Sequence, residues 1–495
     1  MKKTTLVATL TSPPSASGDE LRGGALGAVE YLEVRADLVG KLDPAWLRDR
    51  FPGQLIYTLR SRSEGGAFEG GRQSRRRRLA AAAPTYDLVD LEGHRDLFPE
   101  LLAEVPEEKR LISWHGTSSH LGDLHDRFER LAATPARFYK LVPTAARVGD
   151  GLRPLQLLAS LKRRDVTAFA AGEGGAWTRL LAPHLGSALT YGALGEVPGA
   201  PGQISIERLS RDYGLPALPD AERIFGIAGR PVLHSLSPRL HNGAYRRLGI
   251  PALYVPFHVD SFGDFWLELV ESESLDALGL PLSGLSVTSP FKELALAVSG
   301  VSSPRAQHIA AANTLVRNDG GVWQAETTDP EGVSGLLDAN GVVMAGRKAA
   351  VVGCGGAGKA AAYGLELAGA EVTLVNRGRE RGERAAEEMA LPFVPLADFD
   401  PADYDLLVHA TALGHEPDDE LPFAVERVRR EAAVIDLVYG ASPTRLAAEL
   451  RALGRRVFGG RRVLLHQAFG QFRLMTGKDL DEPLARDLLG LGEEP

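Results

Sequence analysis

The sequence predicts an α/β chain: an N-terminal (β/α)8 TIM barrel followed by a second, two-lobed α/β unit whose later lobe is of the Rossmann type. Three observations predict it. Eight short β-rich runs alternate with helical patterns through roughly the first 200 residues, with no hairpin turns between them. Side chains capable of chemistry fall at the ends of those runs, where a barrel builds its site. Later, a glycine-rich loop, Gly353–Gly358, lies between a buried-strand run and a helix-forming stretch.

The runs are Thr5–Leu10, Tyr31–Arg35, Leu55–Leu59, Asp87–Leu91, Leu111–Trp114, Phe138–Val142, Val166–Ala170 and Ala188–Tyr191. Pro99–Lys109 and Leu121–Ala133 carry leucine and alanine at helical spacing. Strand, helix, strand without hairpins implies parallel pairing, and eight such units imply closure. Arg75–Arg78 read as a solvated helix face, because Leu79–Ala83 continues in helix formers.

Composition bounds the function. The chain has 495 residues, 44% of them apolar, and carries 56 Lys plus Arg against 64 Asp plus Glu, a formal charge of −8. That is a globular chain with ample core, and its acidic balance argues against a nucleic-acid partner. A single cysteine, Cys354, excludes an intrachain disulfide and a Cys-rich zinc site, and fits a reducing, cytoplasmic setting. The apolar run in MKKTTLVATLTSPPS stops at Thr11, too short for a signal peptide, and no run approaches the roughly 18 apolar residues of a membrane span.

Glu33 and Arg35 end the second run, and Arg60 ends the third with Glu64 just after. Asp90 and Glu92 end the fourth, His115 follows the fifth, Lys140 lies in the sixth, and Arg179 and Gln203 follow the seventh and eighth. A lysine in the apolar strand Phe138–Val142 either reaches solvent or is buried and functional. Desolvated beside other cations, it becomes an amine nucleophile that forms a Schiff base. With His115 as base, this suggests imine chemistry on an anionic carbonyl compound.

Glu33-Val34-Arg35-Ala36-Asp37, Arg60 to Glu64-Gly65-Gly66, Asp90-Leu91-Glu92, Ile112-Ser113-Trp114-His115, Lys140 and Ala200-Pro201-Gly202-Gln203 occur in that order. The ordered set resembles type I 3-dehydroquinate dehydratase over the first 210 residues or so. The resemblance implies that Lys140 condenses with the C3 ketone of 3-dehydroquinate, and that His115, oriented by Glu64, moves the C2 proton. It also implies that Glu33, Arg35 and Arg60 hold ring hydroxyls, and that Arg179 and Gln203 hold the carboxylate. The chain departs from the family pattern at Gly116-Thr117 and at Gly199.

In the second half, Lys348–Val352, the loop Gly353-Cys354-Gly355-Gly356-Ala357-Gly358 and the stretch Lys359–Ala368 form a dinucleotide fingerprint. Cys354 reads as a small filler in it. The next strand, Glu371–Val375, ends in Asn376-Arg377-Gly378-Arg379 and then Arg381, where an NAD site would offer a carboxylate. Guanidinium groups match a 2′-phosphate, so NADP is the expected cofactor. Upstream, His234-Ser235-Leu236-Ser237-Pro238 reads either as a turn with a helix cap or as two hydroxyls offered to a carboxylate. Lys292 begins a helix after Ser286-Val287-Thr288-Ser289-Pro290-Phe291, and is a surface lysine or, beside a carboxylate in a cleft, a proton donor.

These segments, with Asn313-Thr314, Thr327-Thr328-Asp329, Asp436-Leu437-Val438-Tyr439, Gln467 and Gln471, resemble shikimate dehydrogenase from about Arg223 to Gly490. The resemblance implies a catalytic pair of Lys292 and Asp329. Ser235, Ser237 and Tyr439 lie near the substrate carboxylate, and Thr288, Asn313, Asp329 and Gln467 on ring hydroxyls. Gly353, Gly355, Gly356, Gly358, Asn376, Arg377 and Arg379 are the expected cofactor contacts. Ser286, Thr327 and His409-Ala410-Thr411-Ala412 depart from the family pattern.

The expected division is a barrel over 1–211, a linker over 212–222, a substrate domain over 223–338, a Rossmann domain over 339–460 and returning helices over 461–495. The two resemblances concern consecutive steps, so the expected function is a bifunctional enzyme with small-molecule substrates that makes shikimate from 3-dehydroquinate. Two other classes compete with it: a regulator that keeps both folds without the chemistry, and an enzyme with one active half oxidising quinate or shikimate. Lys140, His115, Lys292 and Asp329 argue against the first, and Arg377 and Arg379 against an NAD-linked form of the second.

Overall fold

The computed structural model describes residues 2–195, 197–416, 418–440 and 443–492. It divides into two compact units, Met1–Ile224 with Tyr245–Leu282, and Phe225–Ala244 with Ser283–Pro495.

The first unit holds eight parallel strands: β1 (Thr5–Leu10), β2 (Tyr31–Arg35), β3 (Gln54–Thr58), β4 (Leu88–Glu92), β5 (Arg110–Gly116), β6 (Phe138–Pro143), β7 (Val166–Ala168) and β8 (Leu189–Ala193). They follow one another round the sheet, with β8 on β1. The ring closes where Ala188 N donates to Val166 O (2.9 Å) and Leu189 N to Thr167 Oγ1 (3.0 Å). This is the predicted barrel. Its strands are buried on both faces, as a parallel sheet sheathed in helices must be.

Two local expectations need correction. Pro99–Lys109 is not one helix: it is a turn of helix at Pro99–Leu102 and a separate 3₁₀ turn at Glu107–Lys109. Pro106 has no N–H to continue the ladder and disfavours the helical conformation in the residue before it. The arginine run lies on the helix Arg72–Ala82, but Arg75 is buried, donating to Asp96 Oδ1 and Oδ2 (both 2.7 Å). Helical periodicity turns one arginine of four inward, where Asp96 neutralises it.

Tyr245–Leu282 brings a further strand to this unit. Phe257 packs tilted against Trp177 (ring centroids 5.6 Å) and Phe265 (5.4 Å). His258 Nε2 lies 3.2 Å from Glu173 Oε2, and Arg147 Nη1 lies 3.2 Å from Glu268 Oε1.

Continuing the numbering, the strands are β9 (Arg223–Gly229), β10 (Ala252–His258, the strand just described), β11 (Leu282–Val287), β12 (Val301–Ser302), β13 (Thr314–Arg317), β14 (Trp323–Glu326), β15 (Lys348–Val352), β16 (Glu371–Asn376), β17 (Phe393–Pro395), β18 (Leu406–His409), β19 (Ala433–Asp436) and β20 (Arg456–Gly459). In the second unit β9, β11, β13, β14 and β12 lie in that order, and β17-β16-β15-β18-β19-β20 form a wholly parallel sheet. The latter is the predicted Rossmann lobe. Its order reverses direction beside β15, so the loops after β15 and β18 face one crevice at the strand C-terminal ends.

Among the described residues no helix is long and apolar enough to cross a membrane.

Candidate functional site

The barrel site follows from the period of two along each strand. Glu33 and Arg35, Thr58 and Arg60, Asp90 and Glu92, and Ser113 and His115 are pairs of alternate residues, so each pair shares one face. Parallel register sets Ser113 level with Lys140. Lys140 is only 4% exposed, with Nζ 3.5 Å from Glu33 Oε1, 3.9 Å from Asp90 Oδ2 and 4.1 Å from the centre of the Tyr191 ring. The structure thus decides between the two readings of this lysine: it points inward.

Charge is arranged around it. Arg60 donates to Asp90 Oδ2 (2.6 Å), Ser113 Oγ (2.9 Å), Glu64 Oε2 (3.3 Å) and Glu92 Oε1 (3.3 Å). Glu33 accepts from Thr9 Oγ1 and Thr58 Oγ1 (both 2.9 Å). Glu64 Oε2 lies 3.1 Å from His115 Nδ1 and accepts from His115 N at 3.0 Å.

These contacts set the protonation states. Burial, the largest influence, lowers the Lys140 pKa against the pull of Glu33 and Asp90, and Arg60 and Arg35 lower it further. Burial also pushes His115 well below its ordinary value, with Arg60, Lys140, Arg35 and Arg179 adding to the effect. Burial works to raise the Glu33 carboxyl, but Lys140, Arg35 and Arg60 prevail and hold it at about 2. Glu64 goes the other way: burial outweighs Arg60, and with Glu92 and Asp90 nearby its carboxyl is pushed up to about 8. An amine inclined to shed its proton and a neutral imidazole share one chamber, the combination that nucleophilic and base catalysis require.

Arg35 forms a fork with Asp37 (2.9 and 2.8 Å) and reaches Gly199 O at 3.3 Å. Gln203 holds the loop after β8: its Oε1 accepts from Gly199 N (2.8 Å) and its Nε2 donates to Thr9 Oγ1 (3.1 Å). Arg179 lies in the helix Thr178–Leu181, 5% exposed, with its guanidinium 4.2 Å from the Phe169 ring and Nε unpartnered among the described residues. Asp90 is noted in the sequence at a strand end without a role; Ser113 and Tyr191 are not among the expected site residues. The signal for Asp90 was its position at a strand end; a serine or tyrosine in an apolar run gives no such signal.

The second unit contains a cavity of about 150 Å³ lined in part by Ser237, Ser286, Thr288, Lys292, Asn313, Asp329, Tyr439, Gln467 and Gln471. Lys292 and Asp329 each open a helix, Lys292–Ala297 and Asp329–Ala339, and Lys292 Nζ donates to Asp329 Oδ2. A carboxylate at a helix N-terminus is favoured by the helix dipole. Asn313 organises the pair: Nδ2 donates to Asp329 Oδ1 (2.7 Å) and Thr328 Oγ1 (3.0 Å), and Oδ1 accepts from Thr328 N (2.9 Å) and Thr314 Oγ1 (2.8 Å). Gln471 Nε2 supports Thr314 Oγ1 from the helix Gly460–Thr476 at 3.0 Å. Ser235 Oγ accepts from Ser237 N at 3.2 Å at the start of the helix Ser237–Leu248, and its side chain also bonds Tyr439.

The glycine loop opens the helix Gly356–Leu367. Gly353 has φ 114°, and a Cβ on Gly358 would lie 1.8 Å from Gly353 O, so only glycine fits either position. A Cβ on Gly356 would come within 2.9 Å of Lys292 Cβ, so the loop backbone approaches the helix opened by Lys292 closely. Asn376 Oδ1 accepts from Cys354 N (3.4 Å) and its Nδ2 donates to Gly378 O (2.8 Å), locking the turn after β16. Arg377 and Arg379 are exposed, and Arg379 pairs with Glu383 at 3.3 Å. Arg381, left out of the expected contacts, is the arginine nearest the loop, with Nη2 3.5 Å from where a Gly355 Cβ would stand. A bare backbone cradle with a guanidinium at its rim fits a dinucleotide carrying an extra phosphate. Cys354 is buried and its thiol is pushed up to about 11 by burial, consistent with a filler role.

Fold and sites together define an enzyme class: a lysine-centred lyase barrel joined to a dinucleotide-dependent dehydrogenase. Known proteins sharpen this. Residues 23–217 match the type I 3-dehydroquinase family, and 227–315 match the shikimate dehydrogenase substrate binding domain. A bifunctional 3-dehydroquinate dehydratase/shikimate dehydrogenase, chloroplastic, from Arabidopsis thaliana is 30% identical over 91% of this chain and 78% of its own. The NADP(+) shikimate dehydrogenase of Methanosarcina mazei is 35% identical over 52% of this chain and 93% of its own. The crystal structure of shikimate dehydrogenase from Aquifex aeolicus superposes with TM-score 0.50 at 26% identity, covering 54% of this chain and 97% of that one. The chain belongs to the family of bifunctional 3-dehydroquinate dehydratase/shikimate dehydrogenases.

Proposed function

We propose that this enzyme dehydrates 3-dehydroquinate to 3-dehydroshikimate in the barrel and reduces that product to shikimate in the second unit, using NADPH. The observation that carries the reading is the inward Lys140 held between Glu33 and Asp90, in the same chain as a Lys292–Asp329 pair beside a glycine loop.

In the barrel, neutral Lys140 Nζ adds to the C3 ketone and loses water, leaving a protonated imine. His115 takes a C2 proton, and the electron pair passes to the imine as an enamine. The pair then returns to expel the C1 hydroxyl, which His115 protonates, and hydrolysis of the imine frees Lys140. Glu64 orients His115, Arg35 and Arg60 order the carboxylates around the chamber, and Arg179 with Gln203 receives the substrate carboxylate. In the second unit the substrate carboxylate meets Ser235, Ser237 and Tyr439. Thr288, Asn313 and Gln467 hold hydroxyls, and Lys292 with Asp329 passes a proton to the C3 oxygen. Bound NADPH supplies the hydride. Gly353, Gly355, Gly356 and Gly358 would form its backbone cradle, with Asn376, Arg377, Arg379 and Arg381 at the rim.

The division we favour is a barrel over 1–211, a linker over 212–222, a substrate domain over 223–338, a Rossmann domain over 339–460 and returning helices over 461–495. The lone, buried thiol fits a cytoplasmic setting. A coupled assay from 3-dehydroquinate with NADPH tests the whole. Lys140→Ala is expected to abolish dehydration and the borohydride-trapped adduct while leaving 3-dehydroshikimate reduction intact, and Lys292→Ala to do the reverse. Dehydration surviving in Lys140→Ala would refute the imine route.

A further inference from the structure

His409 stands at the end of β18, where the family pattern differs, and the structure gives it more to do than fill space. It is 1% exposed, and both ring nitrogens are engaged: Nδ1 lies 3.0 Å from Asp436 Oδ1, and Nε2 lies 2.6 Å from Thr411 Oγ1. Asp436 ends the neighbouring strand β19 in register with His409. Asp436 Oδ1 also accepts from Val438 N at 3.1 Å, and Oδ2 accepts from the Thr444 hydroxyl.

The carboxylate only accepts, so Nδ1 carries the proton and Nε2 accepts from the Thr411 hydroxyl. Thr411 Oγ1 in turn accepts from Leu413 N at 3.2 Å. The result is one directed chain, Thr411 to His409 to Asp436, met from the far side by Thr444.

The chain joins two loops of the crevice. After β18, Ala410 lies on the glycine loop: its N donates to Val352 O at 2.8 Å, and its O is 2.6 Å from where a Gly353 Cβ would stand. After β19, Leu437 and Tyr439 line the substrate cavity. One imidazole thus ties the loop against the dinucleotide cradle to the loop that carries Tyr439.

We propose that His409 is a positioning residue for hydride transfer, acting through Thr411 to fix Ala410–Leu413 against the dinucleotide cradle; this rests on the NADPH-dependent reduction proposed above. An asparagine at 409 keeps a donor where Nδ1 stands and cannot reach Thr411. His409→Asn and Thr411→Val therefore cut the same bond from opposite ends.

The test uses the full chain. Each single variant should lower kcat for 3-dehydroshikimate reduction about ten- to a hundredfold. Each should also enlarge the primary isotope effect from 4-deuterated NADPH, because hydride transfer becomes more rate-limiting. The double variant should be no worse than Thr411→Val alone, since that change already removes the bond to His409. NADPH affinity, read by fluorescence titration, should change less than about threefold, because the phosphate cradle is untouched. Nitrogen-15 spectra of the free wild-type chain should show the Nδ1–H tautomer at His409. The dehydratase rate is the internal control and should not move. An unchanged kcat and isotope effect in His409→Asn, additive losses in the double variant, or lowered melting temperature alone would overturn the proposal. A wild-type chain that reduces nothing with NADPH would refute the underlying reading instead, a result visible before any variant is made.

Discussion

Replacing Arg60 by methionine isolates the electrostatics of the barrel chamber. The side chain keeps much of its volume but loses the guanidinium that serves Asp90, Ser113, Glu64 and Glu92 at 2.6–3.3 Å. Arg60 is 4% exposed, so water cannot substitute for it. Removing one partner from a buried ionic cluster costs about 3–5 kcal/mol. For a domain of about 200 residues that is a melting-point loss on the order of 10 °C. The loss should also depend on pH. In the wild type Glu64, at about 8, keeps a proton that the unfolded chain releases near ~4, so its contribution to stability falls as pH rises through that window and is flat above. Arg60 lowers the Glu64 pKa, so its removal extends the fall above pH 8, each further pKa unit costing about 1.4 kcal/mol. Scanning calorimetry of the full chain at pH 7 and pH 9 measures both effects. Reduction of 3-dehydroshikimate reports that the second unit is unharmed. A deficit below about 2 °C, or one that narrows as pH rises, would show that Arg60 does not neutralise the chamber.

Three further outcomes follow from other contacts. Ionised Glu64 fixes the Nδ1–H tautomer of His115 and leaves Nε2 as base, so dehydratase kcat/KM should climb to a plateau through pH of about 8; this limb should be absent in Glu64→Gln. Gly358→Ala drives a methyl into Gly353 O, so NADPH affinity by fluorescence titration should fall by an order of magnitude or more while dehydration persists. Asn313→Ala strands the Thr328 N–H, takes the acceptor from the Thr314 hydroxyl and leaves Asp329 held by Lys292 alone among the described residues, costing roughly 2–4 kcal/mol in denaturant unfolding and most of the reduction rate.

Much of this was legible in the sequence because strands simplify the geometry. A parallel barrel fixes where each strand ends, so Glu33, Arg60 and His115 could be set at strand ends from spacing, whereas Lys140 kept two readings until its burial was seen, and Gly353–Gly358 announced its turn through the needs of backbone. What stayed hidden depended on partners distant in sequence. Arg75 looked like its three neighbours until Asp96, 21 residues on, took it inward. Ser113 and Tyr191 lie in apolar runs, where a hydroxyl carries no distinguishing pattern. Arg379 and Arg381 are two residues apart on one helix, and only the direction of that helix decides which of them comes near the glycine loop. His409 could be read as a departure, but its bond to Asp436 required knowing that β18 and β19 lie side by side.

Strand β10 clusters with the barrel's unit although it lies beyond β9 in the chain and inside the 223–338 stretch proposed above as the substrate domain. Phe257 covers Trp177, an indole with no exposure in the intact molecule. Severing the gene near Tyr213 would therefore strip a lid of aromatic carbon from the dehydratase portion and leave a greasy scar open to water. A laboratory attempt to separate the two catalysts should repaint the bared surface with polar side chains.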